Sequence, residues 1–282
     1  MKKAMILMVV LSVVVWVDGA FAQEDELAVS HVQGNIHILT GPGGNVGISA
    51  GEDGILIVDD KFPQNVPGIR AELEKLNKGE LKFVLNTHFH GDHTGGNEAL
   101  GHDATIVAHT NVRKRLEAGD SAKSALPEIT FDDSASVHFN GEEVKLIHFP
   151  PSHTDTDSVI YFMGSNVIHM GDLFFNGRFP FVDLSSGGNV ANYLESVAKV
   201  LEDAPHDVKI IPGHGPLATL KDLDEYLGAL TESVEAIRKE MAAGKSLEEI
   251  TDGDVLAKWP DREVNTNNYN RWIEYVFNSY SR

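Results

Sequence analysis

Short apolar runs separated by polar, glycine-rich segments make up the first part of the chain. Such runs lie at 35–39, 46–50 and 54–58, and the segments 41–45 and 51–54 between them have the composition of turns. Short strands joined by glycine-rich turns form hairpins. The pattern therefore predicts consecutive antiparallel strands at the start of a sheet. Another apolar run, at 81–86, predicts a buried strand.

Helical spacing of apolar residues alternates with further strand-like runs in the rest of the chain. It predicts helices at 69–76, 111–117, 190–201 and 269–280, and a longer helix that begins at Thr219, has a capping box completed by Asp222, and ends at Gly244. Further strands are predicted at 104–108, 143–149, 158–162, 166–170 and 208–211. Two successive halves of strands and helices predict an α/β fold, with sheets flanked by helices.

The N-terminus has the pattern of a secretory signal peptide. Lys2 and Lys3 precede an apolar run at 4–17, and Ala20-Phe21-Ala22 follows it. The run is short for a bilayer span, so we favour cleavage after Ala22 over a retained membrane anchor. We predict a signal peptide at 1–22, a single domain at 23–282, and a periplasmic or secreted location. A lysine pair instead of twin arginines predicts export of the unfolded chain, with metal acquired afterwards.

Composition excludes several classes of partner and cross-link. The chain has no cysteine, so it forms no disulfide and carries no lipid on a cysteine. Its formal net charge is −19, and removal of residues 1–22 takes away two lysines and one aspartate, which leaves −20. Such a charge repels nucleic acid and anionic membranes. We therefore expect a small-molecule substrate, no nucleic-acid partner and no stable membrane association after cleavage.

A cluster of histidines follows the predicted strand at 81–86. His88, His90, Asp92 and His93 lie within six positions, and imidazole nitrogens and carboxylate oxygens are donors that zinc prefers. Alternate residues of an extended chain share a face, so His88 and His90 point the same way and the Asp92-His93 pair faces a second centre. A solvated, histidine-rich turn is the alternative, but four donors in so short a stretch favour a metal site.

Three more candidate ligands lie in loops that follow predicted strands: His153, Asp172 and His214. The carboxyl ends of strands are where α/β folds gather polar groups into one crevice. The other eight histidines are interpreted as surface or core residues, with supporting roles considered for His109 and His169. We also expect Asp59 or Asp60 to accept a hydrogen bond from a ligand histidine.

Four motifs together resemble the metallo-β-lactamase superfamily: Thr87-His-Phe-His-Gly-Asp-His93, Ser152-His-Thr154, Gly171-Asp172 and Gly213-His-Gly215. The resemblance implies an αβ/βα four-layer sandwich, with two mixed β-sheets flanked by helices and two zinc ions per chain. The implied ligands are His88, His90 and His153 for the first zinc, Asp92, His93 and His214 for the second, and Asp172 as a bridge. Asp92 is also the predicted catalytic residue, since it would orient a hydroxide held by the metals.

The leading interpretation is an exported binuclear zinc hydrolase that cleaves a small amide or ester, such as a β-lactam or a lactone. The bridging Asp172 resembles the pattern of glyoxalase-II-like thioesterases, which are the alternative. A di-iron redox enzyme is less favoured, because related flavodiiron proteins have glutamate where this chain has His90. A metal-binding protein without catalysis remains a third class.

Two segments are candidates for contact with the substrate. The loop 174–183 follows Asp172 directly, and within it Arg178 and Phe179 are predicted to bind a mostly apolar substrate that carries a carboxylate. The alternative is a packed loop with its arginine in solvent. The glycine turn 41–45 is either a mobile flap or a hairpin turn that needs glycine for its conformation.

Overall fold

The structure of the protein, a computed structural model, describes residues 26–259 and 266–281. The predicted signal peptide and the cleavage site after Ala22 lie outside the described residues. Within the described ranges, no helix combines the length and the apolar character needed to cross a membrane.

The first sheet is formed by seven strands that lie side by side in chain order. They are β1 (Ala28–Gln33), β2 (Ile36–Thr40), β3 (Val46–Gly51), β4 (Gly54–Val58), β5 (Leu81–Leu85), β6 (Thr105–His109) and β7 (Ile129–Phe131). The strands β1 to β4 pair antiparallel because short turns connect them, as predicted for β2 to β4. The pairs β4–β5, β5–β6 and β6–β7 are parallel. The sheet is therefore mixed.

The second sheet contains six strands. They are β8 (Ser134–Phe139), β9 (Glu142–His148), β10 (Ser158–Phe162), β11 (Val167–His169), β12 (Lys209–Ile211) and β13 (Ala218–Thr219), in the order β13-β12-β11-β10-β9-β8. Only the β11–β12 pair is parallel in this sheet. The long connection between those two strands contains a helix, as parallel pairing requires.

The structure contains eight α-helices in the residues it describes. They are α1 (Val66–Leu76), α2 (Gly91–Thr94), α3 (Asn97–Leu100), α4 (Thr110–Ala118), α5 (Val190–Asp203), α6 (Leu220–Ala242), α7 (Leu247–Thr251) and α8 (Thr266–Tyr280). Of these, α1, α5, α6 and α8 pack on the outer faces of the sheets. The predicted capping box of Thr219 and Asp222 is present at the start of α6. Helix bounds otherwise differ from the predicted ones by a few residues at most ends.

Three groups of buried apolar side chains define four layers. One group, including Val58 and Leu146, fills the space between the sheets. A second lies between the first sheet and α1. A third lies between the second sheet and the helices α5, α6 and α8, and it includes the fully buried Trp272. The predicted helix–sheet–sheet–helix sandwich is confirmed.

Some elements of the fold were not predicted from the sequence. The strands β1, β7, β8 and β13 were missed, and each of them is the edge strand of its sheet. The strand β5 ends at Leu85, so His88 and His90 lie in the following loop, and Asp92 and His93 lie in the one-turn helix α2. The histidine cluster is therefore folded more tightly than an extended chain would allow.

Candidate metal centre

The seven predicted ligands come together at one end of the sandwich. Each follows a strand: the histidine cluster follows β5, and His153, Asp172 and His214 follow β9, β11 and β12. Their donor atoms form two compact groups, within each of which all donor atoms lie within 4.8 Å of one another. The first group contains His88, His90, His153 and Asp172, and the second contains Asp92, His93 and His214.

Inward-facing ring nitrogens define the first group. His90 Nδ1 lies 2.9 Å from His153 Nε2. One carboxylate oxygen of Asp172, Oδ2, lies 3.3 Å from His153 Nε2 and 3.8 Å from His88 Nε2. Donor atoms of a tetrahedral zinc site, at bond lengths of about 2.0–2.1 Å, are about 3.3 Å apart. The group therefore has the spacing of a single-ion site.

The second group has similar spacing and shares Asp172 with the first. His93 Nε2 lies 3.4 Å from His214 Nε2, which in turn lies 3.3 Å from Asp92 Oδ2. The other oxygen of Asp172, Oδ1, lies 3.1 Å from His93 Nε2 and 3.4 Å from His214 Nε2. The two oxygens of this one carboxylate thus face different groups.

Two buried atoms show that these residues fit cations better than they fit one another. His88 Nε2 and Asp172 Oδ1 are buried without a hydrogen bond, although histidine nitrogens lie close to the carboxylate. Buried polar atoms normally have a partner. Burial lowers the pKa of His88 well below its ordinary value and that of His153 to about 4, so both rings are neutral, which is the form that binds metal.

Charge in the second group is balanced by a proton when no cation is bound. Burial alone would lower the pKa of His93, but the carboxylates of Asp172, Asp59 and Asp92 raise it well above its ordinary value. A cation bound by His93 therefore displaces a proton from this ring. Burial acts to raise the pKa of Asp172, yet the surrounding imidazoles, led by that of His214, hold it well below its ordinary value.

The family follows from a comparison with known proteins. The family model described as "Metallo-beta-lactamase superfamily" matches residues 29–214, which is more than half of the chain and includes all seven predicted ligands. The chain belongs to the metallo-β-lactamase superfamily. The predicted resemblance is confirmed, and the class that follows is a hydrolase of this superfamily with a candidate metal site.

Solved structures of the superfamily share the fold. A metallo-β-lactamase from Pontibacter korlensis superposes with a TM-score of 0.63 at 17% identity, over 73% of this chain and 99% of that one. The DIM-1 metallo-β-lactamase superposes with a TM-score of 0.62 at 18% identity, over 73% of this chain and 97% of the other. At such identities the likeness concerns the fold alone.

This chain covers only part of the length of the relatives with curated names, about half or less for two of those described next. A "Beta-lactamase-like protein 2 homolog" from Drosophila melanogaster is 29% identical over 56% of this chain and 52% of its own length. A "Hydroxyacylglutathione hydrolase" from Prochlorococcus marinus is 30% identical over 36% of this chain and 39% of its own. An uncharacterized protein of Aquifex aeolicus is 26% identical over 56% of this chain and is covered over 82% of its length.

Asp59 accepts a hydrogen bond from a predicted ligand histidine. This contact was predicted for Asp59 or Asp60, the two aspartates that follow β4. The carboxylate of Asp59 accepts hydrogen bonds from His93 Nδ1 at 2.7 Å and from the backbone N–H and hydroxyl of Thr87, both at 2.8 Å. The bond from Nδ1 turns Nε2 of His93 toward the metal centre. Asp60 instead accepts a hydrogen bond from the backbone N–H of Gly96 at 2.8 Å.

Two further ligand rings are oriented by the loop that follows Asp172. His153 Nδ1 donates to the carbonyl of Phe181 at 2.8 Å, and His90 Nε2 donates to Asp183 Oδ2 at 3.2 Å. Asp183 was not singled out from the sequence. Nothing in the local pattern marks it, because its partner is more than ninety positions away in the chain.

The glycine turn is fastened beside the second group. Lys61 is fully buried, and its ammonium donates to the carbonyls of Gly44 at 2.6 Å and Gly41 at 3.2 Å. The backbone N–H of Gly44 donates to the carbonyl of Asp92 at 3.1 Å. A Cβ at Gly44 would lie 2.2 Å from His93 Cε1, so glycine is needed here for close approach. These contacts favour the hairpin turn over the flap.

The structure does not bring the predicted substrate residues into the ligand cluster. Phe179 is buried in the helical layer, where its ring stacks on that of Trp272. The guanidinium of Arg178 lies over the ring of Phe175, which is stacked on His214. The exposed ring of this loop is Phe181, which is 41% exposed and lies 5.8 Å from the His90 ring. The loop contains several phenylalanines, and the sequence alone does not show which of them is exposed.

Proposed function

We propose that the protein is an exported hydrolase with two zinc ions that cleaves a small amide or ester bond, with β-lactams and lactones as candidate cyclic substrates. One observation carries the proposal: each oxygen of Asp172 lies within 3.4 Å of an imidazole nitrogen of a different ligand group. A shared carboxylate makes two neighbouring sites into one binuclear centre.

The seven predicted ligands divide into two sets that share Asp172. His88, His90, His153 and Asp172 would hold the first ion, and Asp92, His93, His214 and Asp172 the second. When bound, zinc polarises a carbonyl and lowers the pKa of a bound water to about 7. Because Asp172 is shared, only three imidazoles would belong to the first ion alone, and catalytic zinc sites add a water molecule or the substrate to such a set.

The open side of the centre is defined by three partly exposed side chains. Asp92, His90 and His214 are 23%, 19% and 14% exposed, whereas Asp172 is 5% exposed. Burial acts to raise the pKa of Asp92, but His93 and His214 lower it overall, so the carboxylate is ionised. An ionised carboxylate at the open side can accept a hydrogen bond from a water molecule and orient it toward a substrate carbonyl.

The surroundings of this open side support a small, mostly apolar substrate. The exposed ring of Phe181 and the partly buried ring of Phe89 flank His90. The guanidinium of Arg115, which lies over the Phe89 ring, is already paired with Asp155 at 2.5 Å. A polyanion would meet both this rim and a net charge near −20, which disfavours nucleic acid as a substrate.

A thioesterase of the glyoxalase type is the second candidate. It is favoured by the carboxylate of Asp172 between the two groups and by relatives named hydroxyacylglutathione hydrolase, at 30% identity over at most half of this chain. The same residues would act on a thioester carbonyl, so the two candidates differ in the substrate and not in the centre.

Hydrolysis by protein of known metal content tests the proposal. We expect about two zinc ions per chain and turnover of at least one of a β-lactam, a lactone and a thioester, with little turnover of a phosphodiester. Asp172→Ala should bind fewer ions, because it removes an oxygen from each group. A parent that retains a single ion in saturating zinc, or that hydrolyses none of the carbonyl compounds, would refute the proposed function.

Export is the part of the proposal that rests on residues 1–22. We expect the mature protein to begin at Gln23, because Ala20-Phe21-Ala22 has the small residues of a signal-peptidase site. N-terminal sequencing of protein from the periplasm or medium measures this. Recovery of the uncleaved chain with the membrane fraction would support the retained anchor instead.

A further inference from the structure

Two buried tyrosines of the helical layer on the second sheet lie close to Asp172. Tyr193 belongs to α5 and Tyr226 to α6, and both side chains are buried. The hydroxyl of Tyr193 donates to the backbone carbonyl of Asp172 at 3.0 Å. The two hydroxyl oxygens lie 2.8 Å apart.

The direction of this hydrogen-bond chain follows from the proton count. A phenol has one proton to donate. Because Tyr193 gives its proton to the Asp172 carbonyl, the proton between the two hydroxyls comes from Tyr226. Burial raises the pKa of both phenols above their ordinary value, so both remain protonated donors. The result is a one-way chain from α6 through α5 to the backbone of Asp172.

The backbone of Asp172 is where such support has most effect on the ligands. Asp172 lies in a single 3-10 turn, Gly171–Leu173, and Gly171 has a φ of +50°. On the other side, a Cβ at Gly213 would lie 2.1 Å from Asp172 Oδ1, so the carboxylate is closely enclosed. A small shift of this turn would move both oxygens and hence change both ligand groups.

Packing alone does not explain the two hydroxyls. The rings lie in the apolar layer formed by α5, α6 and α8, and the Tyr226 ring packs against Phe174 with centroids 4.9 Å apart. Phenylalanine would fill the same space without burying polar atoms, which is costly unless they are hydrogen-bonded. What tyrosine adds at these positions is the hydrogen-bond chain that ends on Asp172.

We propose that Tyr193 and Tyr226 are positioning residues for Asp172, and that the helical layer uses them to set how tightly the centre binds its two cations. The inference rests on the proposed metal function of the centre. Tyr193 has the larger effect because it contacts Asp172 directly, and Tyr226 acts through Tyr193. Neither residue touches the substrate.

The test compares three tyrosine-to-phenylalanine variants of the purified protein. Tyr193→Phe and Tyr226→Phe each remove one hydroxyl of the chain. Tyr269→Phe is the matched control, because the Tyr269 hydroxyl also donates to a backbone carbonyl, that of Trp259 at 2.5 Å, in the same helical layer. Zinc affinity is measured by competition with a chelator, and the melting temperature of the metal-free protein is measured in parallel.

We expect Tyr193→Phe to bind zinc about 10-fold more weakly, the lower end of the loss caused by removing an outer partner of a metal ligand. Tyr226→Phe should lose less, and Tyr269→Phe should keep the affinity of the parent. The melting temperatures of the three metal-free variants should fall by similar amounts.

The outcomes separate this inference from the proposed function. A parent that binds no zinc refutes the proposed function itself. A parent that binds two ions, with Tyr193→Phe binding them equally well, overturns the positioning role. An equal loss of affinity in Tyr269→Phe also overturns it, because the effect would then arise from general loosening of the helical layer.

Discussion

Two aspartates of the candidate metal centre have the same chemistry but different surroundings. Asp172 is enclosed by imidazoles, a glycine backbone and the carbonyl contact to Tyr193, which leaves it only the role of a ligand in the proposed centre. Asp92 lies at the open side, in the first turn of the short helix α2, with about a quarter of its side chain in solvent. At the residue scale, exposure separates the ligand that shapes the centre from the one that can also act on a water molecule.

Asp92→Asn tests that separation. The amide keeps the size of the side chain but loses the charge, so it accepts a proton poorly and orients water less well. With zinc saturating, we expect turnover to fall on the order of 100-fold or more. Turnover is measured on the best substrate of the panel, together with zinc content. Asp103→Asn, an exposed change on the protein surface, is the control.

The result that would contradict a catalytic role for Asp92 is turnover within a few-fold of the parent with both ions bound. In that case Asp92 would be a ligand only. If the variant loses both turnover and one ion, turnover is measured again at a zinc concentration high enough to restore the second ion. That measurement separates the loss of metal binding from the loss of water orientation.

The residues that could be predicted from the sequence are those whose chemistry is rare in their context. Four of the seven donors were found because histidines seldom cluster, and the other three because they follow predicted strands and complete the motifs of the resemblance. Lys61 and Asp183 were missed, since a single lysine or aspartate after a strand usually faces solvent. Their importance arises from contacts with Gly44 and His90, at separations that no local pattern records. Phe181 was not chosen, because the loop 174–183 contains four phenylalanines and the sequence does not show which of them is exposed.

At the scale of elements, the strands that were predicted and those that were missed differ in position. Central strands such as β4 and β10 are buried and carry continuous apolar runs. The missed strands β1, β7, β8 and β13 are the sheet edges. An edge strand pairs on one side only and keeps polar residues that discourage association, as in the sequence Ser-Ala-Ser-Val-His-Phe of β8. Hydrophobic periodicity therefore predicted the central strands of each sheet and missed the edge strands.

The ends of two strands from different sheets meet in a pair of stacked histidines. His109 ends β6 of the first sheet and His148 ends β9 of the second, and their rings stack with centroids 3.6 Å apart and an interplanar angle of 5°. Burial, and then the neighbouring His148 ring, lower the pKa of His109 to about 4. Burial likewise lowers the pKa of His148. The rings stack as neutral groups.

This pair makes stability depend on pH in a defined direction. In the unfolded chain a histidine takes up a proton near pH 6.5, whereas folded His109 does so near pH 4. The contribution of the pair is complete above the unfolded value and is lost as the pH falls toward the folded one. We expect His148→Phe, which keeps a ring for stacking but binds no proton, to lose less free energy of unfolding between about pH 7 and about pH 5 than the parent.

Denaturant unfolding at the two pH values, with zinc held constant, measures the difference. His206→Phe provides the control, because His206 is exposed and is not part of the stack. If His148→Phe and the parent lose the same free energy over this range, the stacked pair is not a source of the acid sensitivity.

For the whole molecule, the candidate metal centre joins segments from both halves of the chain. The histidine cluster comes from the loop after β5 of the first sheet, and His153, Asp172 and His214 come from loops of the second. Contacts within the first and second groups join positions 63 and 121 residues apart, respectively. Neither half supplies all seven predicted ligands, so the proposed binuclear centre requires both halves to be folded.

Removal of the ions should therefore lower global stability. Ligands that bind only the folded state stabilise it by roughly 4 kcal/mol at a thousand times their dissociation constant. For a domain of this size that corresponds to a shift in melting temperature of about 10 °C. We expect a strong chelator to produce a decrease of that order, and zinc to reverse it. An unchanged melting temperature after verified metal removal would contradict a structural role for the ions.

Because the chain has no cysteine, the proposed metal ions would be the cross-links between its distant segments. In an exported protein, covalent cross-links between distant segments are normally disulfides, and their persistence depends on the redox potential of the compartment. Here the long loops between positions 90 and 153 and between 93 and 214 would be closed by exchangeable ions instead. The folded lifetime of the chain would then follow the supply of zinc, and starvation for the metal would act on it as a reductant acts on a disulfide-linked protein.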